Sequence, residues 1–286
     1  MKFKLKYVVW LFLASACGKK NMNYADPLFY RTEGAGAKDI LFIHGLLASN
    51  SAWDGVTPTL AKQNKLVLVD LLGFGDSPKP KTDYTVEQHI FKIEETLKSE
   101  SSTPEIIVAH SMGTFLALNY AIAHPQQIKK LVLINAPMVT SKERLQAAIA
   151  ESSSKFMVAM TFNETWGKFV CHVHELFPSI SYPFLRLAEP ELPKAVARAA
   201  GQHTYASYHG SLTNVLMKQN FYELLAKVSD SSVLILASDK DEYTKDSALE
   251  KLPQHKNIKL VRLPGGHNNL IANPDVVTKE IGAFLE

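Results

Sequence analysis

Ile106-Ile107-Val108-Ala109-His110-Ser111-Met112-Gly113-Thr114-Phe115-Leu116-Ala117-Leu118 decides how this chain is read. Ile106 to Ala109 is a short, uniformly apolar run, the pattern of a strand buried on both faces, and Met112 to Ala123 reads as a helix that follows at once. Ser111 is left at the turn between them. A chain that bends so sharply strains its backbone and packs closely against its neighbours, so small residues must flank the bend; the usual form is G-x-S-x-G. Here Ala109 stands where the first glycine is usual, and Gly113 fills the second place. Alanine is the next smallest residue, so the steric requirement is nearly met. A serine seated there lies at a helix N-terminus, where peptide dipoles favour developing negative charge.

Working outward, further apolar runs occur at Ile40–Ile43, Leu66–Val69, Leu131–Ile134, Val233–Ala237 and Ile258–Leu263, each predicted to be a strand buried on both faces. Helical segments separate them, including Val86–Leu97 with Ile90, Ile93 and Leu97 on one stripe, and a final helix over Pro274–Leu285. Alternating strands and helices imply an α/β fold: a mostly parallel central sheet flanked by helices. The stretch 139–227 breaks that alternation with helix-favouring pieces such as Lys142–Ala150 and Lys194–Ala200, punctuated by Pro178, Pro183, Pro190 and Pro193. It is predicted to be an inserted helical cap, dividing the core into 17–138 and 228–286. Its aromatics, among them Phe156, Phe162, Trp166, Phe169, Phe177, Tyr182, Phe184, Tyr205 and Tyr208, offer apolar surface to a pocket, though most are expected simply to pack the cap on the body.

A serine hydroxyl is a poor nucleophile until a base takes its proton and a third group orients that base. His267 answers the first need: it sits in Leu263-Pro264-Gly265-Gly266-His267-Asn268-Asn269-Leu270, directly after the last predicted strand, where two glycines permit a sharp loop. The acid should leave the end of Val233–Ala237, where Asp239, Asp241 and Glu242 are all available. An early strand ending in Ile43-His44-Gly45-Leu46-Leu47 and the run Asp70-Leu71-Leu72-Gly73-Phe74-Gly75-Asp76-Ser77 are two further loops at strand ends.

With these segments in this order, the chain from Leu28 to Leu285 resembles the α/β-hydrolase fold superfamily, specifically its cap-bearing esterases and lipases. The resemblance implies a triad of Ser111, Asp241 and His267, in the chain order that this fold uses. Asp241 is preferred because the family places a small residue, here Ser238, then two residues, then the acid; Asp239 is the alternative. It also implies an oxyanion hole from the backbone amides of Leu46 and Met112, on a loop shaped by His44 and Gly45, with His44 structural and not a base. The expected reaction is cleavage of a small-molecule carboxylic ester, with an apolar acyl group, through an acyl-enzyme. It needs no cofactor, and the cap histidines have no metal-ligand spacing. The same triad also serves thioester, amide and carbon–carbon hydrolysis, perhydrolysis and lyase chemistry, and the scaffold can carry a catalytically silent ligand-binding lipoprotein.

The first residues differ from the rest. Lys2, Lys4 and Lys6 precede an apolar run from Tyr7 to Leu13 and then Ala14-Ser15-Ala16-Cys17, a secretory leader pattern over residues 1–16. The run is much shorter than the roughly 20 residues a membrane span needs. The segment resembles a bacterial lipoprotein signal, which implies a lipid-carrying Cys17 and attachment to a membrane, although Leu13 lies one place farther from the cysteine than is common. Ordinary cleavage after the small residues Ala14 and Ala16, with a periplasmic or secreted product, and an uncleaved anchor are the alternatives. Removing the leader takes away three lysines and no acid, so the formal charge of +3 vanishes and no basic face argues for nucleic acid. Cys171 stands alone in the body and reads as a buried apolar residue.

Overall fold

The computed structural model describes residues 24–151, 155–177, 182–183, 187, 194–244, 246–253 and 255–286, and residues 1–16 and Cys17 lie outside them. Seven strands, β1 (Tyr30–Glu33), β2 (Lys38–Ile43), β3 (Asn64–Val69), β4 (Ile106–His110), β5 (Lys130–Ile134), β6 (Ser232–Ser238) and β7 (Ile258–Leu263), form one sheet in the order β1-β3-β2-β4-β5-β6-β7. Among the described residues only β1 runs antiparallel, pairing Tyr30 with Val69 and Glu33 with Leu66. The others are parallel, so Ile40 lies beside both Leu66 and Ile106.

Strand alternation turns the continuous apolar runs into two cores. Leu41, Ile43, Ile107, Ala109, Leu131, Leu133, Val233 and Ile235 face one layer, together with Ile93, Phe115 and Leu116. Ile40, Phe42, Ile106, Val108, Val132, Ile134, Leu234 and Leu236 face the other, against Trp53, Val277, Ile281 and Leu285. The first layer uses α1 (Val86–Ser99) and α2 (Met112–Ala123). Thr85 starts α1 with a capping box: its hydroxyl accepts the Gln88 amide while the Gln88 side chain accepts the Thr85 amide.

Two sequence expectations need correcting at the sheet edges. Tyr30–Glu33 is a strand that the sequence does not announce, because Tyr-Arg-Thr-Glu has neither an apolar run nor clean alternation; its backbone pairing with β3 supplies what its side chains do not. Ile258–Leu263 is not buried on both faces: Lys259, Leu260 and Arg262 are exposed on this outermost strand. Charges along an edge of this kind discourage pairing with a second sheet.

Between β5 and β6 the described residues form helices: α3 (Lys142–Ala150), α4 (Lys155–Phe162), α5 (Glu164–Leu176), α6 (Lys194–Ala200), α7 (Tyr205–Ser211) and α8 (Phe221–Ala226). This segment is fastened to the body by polar and apolar contacts together. Asn119 Nδ2 donates to Gln219 Oε1 at 2.9 Å, the Phe115 and Phe221 rings meet edge to face at 5.9 Å, and His89 Nε2 lies 3.2 Å from Ser211 Oγ. The last helix, α9 (Pro274–Leu285), starts with proline in its first turn, and its final carbonyls accept from Lys38 and Lys130.

Candidate active site

Ser111 occupies the joint between β4 and α2 with φ 51° and ψ −122°, a region that side-chain-bearing residues seldom enter. Several contacts hold it there. Its amide donates to Ile134 O at 3.0 Å, continuing the ladder to β5, and its carbonyl accepts Thr114 Oγ1 at 2.6 Å and the Thr114 amide at 3.0 Å. The glycine at 113 is demanded by packing: a Cβ there would lie 2.5 Å from Ile43 O and 2.6 Å from His44 O. A Cβ on Gly45 would come 2.9 Å from that of Ser111, so the loop after β2 presses directly on the serine.

His267 Nε2 lies 2.9 Å from Ser111 Oγ, and its Nδ1 lies 3.0 Å from Asp241 Oδ1. The sensible proton placement has Nδ1–H donating to the carboxylate, which leaves Nε2 to accept from the hydroxyl. Asp241 Oδ1 also accepts the Tyr243 amide at 3.0 Å, and the Asp241 side chain is wholly buried. Burial alone would raise the Asp241 pKa, but the His267 hydrogen bond and charge, with the Tyr243 amide, outweigh it and hold the carboxyl below its ordinary value. The Tyr243 ring packs edge to face on the imidazole at 4.7 Å.

Asp239 points elsewhere. It is exposed, and its Oδ1 accepts the Gly265 amide at 2.9 Å, tying down the loop that carries His267. Glu242 is partly exposed, one residue beyond Asp241. Of the three carboxylates at the end of β6, Asp241 is the one that meets His267.

Ser111 caps α2, so the Met112 amide is the first N–H of a helix, among those that no intrahelical carbonyl satisfies. Across from it, Gly45 O accepts Ala48 N at 3.4 Å, closing a turn with Leu46 and Leu47 at its centre and Leu47 at φ 60°. His44 is fully buried under that turn: Nδ1–H donates to Gly45 O at 2.7 Å and Nε2 accepts the Leu71 amide at 2.9 Å. Burial lowers its pKa, so the ring is neutral and serves as a brace. The next loop is organised by buried Asp70, whose Oδ1 accepts both the amide and the side chain of Asn50 at 2.7 Å, and whose Oδ2 accepts Asp76 N at 2.8 Å.

Two residues to which the sequence assigns no role lie against the His267 loop. His110 Nε2 lies 2.9 Å from His267 O, and Asn135 Nδ2 donates to the same carbonyl at 2.8 Å and to Gly266 O at 3.2 Å. The aromatics of the segment between β5 and β6 divide. Tyr208 is buried and Tyr205 partly so, whereas Phe162, Trp166, Phe169 and Phe177 are exposed. Phe156, Tyr182 and Phe184 gain no such assignment; the side chains of 156 and 184 lie outside the described residues. Cys171 is buried but not purely apolar, with Sγ 3.4 Å from His203 Nε2. A cleft of about 140 Å³ lined by Met138, Val139, Tyr222 and Tyr243 reaches the site only through Tyr243. Among the described residues no group of three or more His, Cys, Asp or Glu could hold a metal, and no helix is long and apolar enough to cross a membrane.

The sequence profile described as alpha/beta hydrolase fold matches residues 39–274. Over 136 residues the chain is 39% identical to "Probable lysophospholipase BODYGUARD 3" of Arabidopsis thaliana, a match covering 44% of this chain and 27% of that protein; the chain thus spans about a quarter of that relative's length. Solved structures similar to it include E-2-(acetamidomethylene)succinate hydrolase, at TM-score 0.70 and 19% identity, covering 90% of this chain and 94% of that one. An esterase from Exiguobacterium antarcticum superposes at TM-score 0.68 and 17% identity, covering 90% and 94%. Likenesses this low in identity show the fold alone.

Proposed function

Because the chain belongs to the alpha/beta hydrolase fold family, we infer that it is a serine hydrolase that cleaves carboxylic esters through an acyl-enzyme. The observation that carries this reading is the unbroken relay from Ser111 Oγ to His267 Nε2 at 2.9 Å and from His267 Nδ1 to Asp241 Oδ1 at 3.0 Å. Ser111 Oγ attacks the ester carbonyl carbon as His267 takes its proton. The new oxyanion is met by the amides of Leu46 and Met112. When the tetrahedral adduct collapses, His267 returns the proton to the departing alcohol; water then enters by the same base assistance and releases the acid. Asp241 holds the imidazole in the tautomer that leaves Nε2 free and stabilises the imidazolium. Nothing in these steps calls for a cofactor or metal.

The ester is an organic molecule with an apolar acyl group, a reading supported by Met138, Val139 and Tyr222 in the cleft that also includes Tyr243, whose ring packs on His267. The lysophospholipase name of the sequence relative points the same way. A fluorophosphonate probe tests the chemistry. It should label the wild type and not Ser111→Ala; labelling that persists in the variant removes Ser111 as nucleophile. A series of p-nitrophenyl esters of increasing acyl length then reads the substrate preference.

Residues 1–16 are an export leader in this reading, and Cys17 carries the lipid that holds the hydrolase at a membrane. What supports it is the charge, apolar-run and small-residue pattern. Tyr24, seven residues after Cys17, is fixed to α1: its carbonyl accepts Lys92 Nζ at 2.8 Å, and Lys92 lies 5.3 Å from its ring centre. Seven extended residues reach about 24 Å, so a lipidated Cys17 would keep α1 near the bilayer. Mass spectrometry of the mature N-terminus separates an acylated Cys17 from plain cleavage.

A further inference from the structure

The carbonyl of His267 is an unusual acceptor for a loop residue, because two buried side chains converge on it: His110 Nε2 at 2.9 Å and Asn135 Nδ2 at 2.8 Å. Both donors stand at the C-terminal edge of the sheet on neighbouring strands. His110 ends β4, in register with Ile134 of β5, and Asn135 follows directly. Asn135 is also committed on its other side. Its Oδ1 accepts the Ser238 amide at 2.9 Å, its own amide donates to Leu236 O at 2.8 Å, and its backbone takes φ 45°, which side-chain-bearing residues adopt at a cost. One buried amide thus joins the ends of β5 and β6 to the loop after β7. His110 is the residue immediately before Ser111. Burial pushes its pKa down to about 3, so its ring is a neutral donor and adds no charge beside His267, 5.0 Å away between ring centres.

We propose that His110 and Asn135 are positioning residues that act through the His267 backbone, fixing the imidazole against Ser111 and Asp241 by holding its carbonyl from two sides. The relay needs such a hold. His267 is borne on a loop rich in glycine, and bonds of 2.9 and 3.0 Å to two different elements do not survive a slip of an ångström. The hydrogen bonds from Gly265 to Asp239 and from Lys240 to Gly265 O fix the loop two residues upstream. Asn135 Nδ2 and the Asn269 amide hold Gly266 O, on the peptide before the base, at 3.2 and 3.1 Å, and the pair on the His267 carbonyl holds the peptide after it. This inference rests on the reading of Ser111 and His267 as nucleophile and base.

Full-length protein carrying ¹⁵N-labelled histidine tests it, with His110→Ala, His110→Gln and Asn135→Ala compared by the ¹⁵N shifts of the His267 ring and by ester turnover. Glutamine is chosen because its amide can present N–H close to where Nε2–H of His110 stands. In the wild type His267 should show a single Nδ1–H tautomer. In His110→Ala and Asn135→Ala the two ring nitrogens should move towards averaged values, and kcat should fall by roughly 10- to 100-fold, the cost of a misplacement near 1 Å, with KM within about twofold. His110→Gln should recover most of both losses. An unchanged tautomer in both alanine variants overturns the proposal, and so does a glutamine variant as impaired as the alanine one. Should Asn135→Ala fail to fold, the His110 pair decides alone. Ser111→Ala separates the two readings: turnover surviving in it sinks the serine-hydrolase assignment, while the tautomer of His267 still judges the clamp.

Discussion

Four imidazoles buried among the described residues, those of His44, His89, His110 and His203, should make this protein steeply sensitive to mild acid. His89, His110 and His203 are almost inaccessible, and burial pushes each down to about 3. In the unfolded chain each titrates near 6.5. Because the folded values are depressed, the unfolded state takes up protons first, so the stability these neutral rings allow is complete above pH 6.5 and is lost as pH falls below it. At pH 5 each ring costs about 2 kcal/mol, and the three together about 6. From these three rings alone the slope there approaches three protons, or roughly 4 kcal/mol per pH unit, against a typical total of about 5–15 kcal/mol, and His44, whose pKa burial also lowers, acts in the same direction. Asp241, whose pKa is lowered, also loses stability towards acid, but its window lies below pH 4, and the two effects separate. Urea unfolding followed by tryptophan fluorescence at pH 7.5, 6 and 5 measures this directly. His89→Asn should reduce the slope by about one proton. A free energy of unfolding that changes by less than about 1 kcal/mol between pH 7.5 and 5 would refute the reasoning, since it would mean that the buried rings accept protons without unfolding.

Other perturbations give sharper local answers. Asp241→Asn keeps the shape but favours the wrong imidazole tautomer, so kcat on a p-nitrophenyl ester should fall by about 10³- to 10⁴-fold; Asp239→Asn, whose amide oxygen can still accept Gly265 N, should remain within about threefold of wild type. The opposite order would make Asp239 the acid. Gly113→Ala should destabilise by about 1–3 kcal/mol despite alanine's better helix propensity, because the new methyl meets the carbonyls of Ile43 and His44; a urea midpoint at or above the wild-type value would show that α2 can shift to accommodate it. Lys92→Ala removes the donor to Tyr24 O, and limited proteolysis should then cut the chain near Tyr24 faster, with the rest of the digestion pattern unchanged.

What could be read from residues alone followed how strongly side chains announce their surroundings. Five strands carry apolar runs, such as Leu66–Val69 and Val233–Ala237, that are buried in the sheet interior, and the limits of Met112–Ala123 and Pro274–Leu285 coincide with the helices found. Tyr30–Glu33 is illegible in the sequence because an edge strand is specified by its backbone partner, and Ile258–Leu263 is half-exposed because its apolar residues lie on an edge strand. Ser111 and His267 can be singled out because each stands beside a strand end, with Gly113 or the Gly265-Gly266 pair as a visible companion, whereas among Asp239, Asp241 and Glu242 it is the family resemblance that favours Asp241. Asn135 cannot be singled out. An asparagine between Ile134 and Ala136 reads as an ordinary turn residue, and its grip on Ser238 and His267 spans more than a hundred positions of chain. Its one local signal was position, a lone amide at the end of a fully buried strand, where a polar side chain must find partners. The exposure of Trp166 and Phe169 was equally unreadable, since the aromatic content of a helix does not say which of its faces the body covers.

The bond from His110 to His267 also joins two distances that would otherwise vary independently. Ser111 follows His110 on β4, so any rigid drift of that strand, from heat, a distant core substitution or a bound partner, carries the serine and pulls the neighbouring loop along the same vector. Shared displacement cancels in the gap between Ser111 Oγ and His267 Nε2, much as a differential amplifier rejects noise common to both inputs. Only motions that split the pair register there.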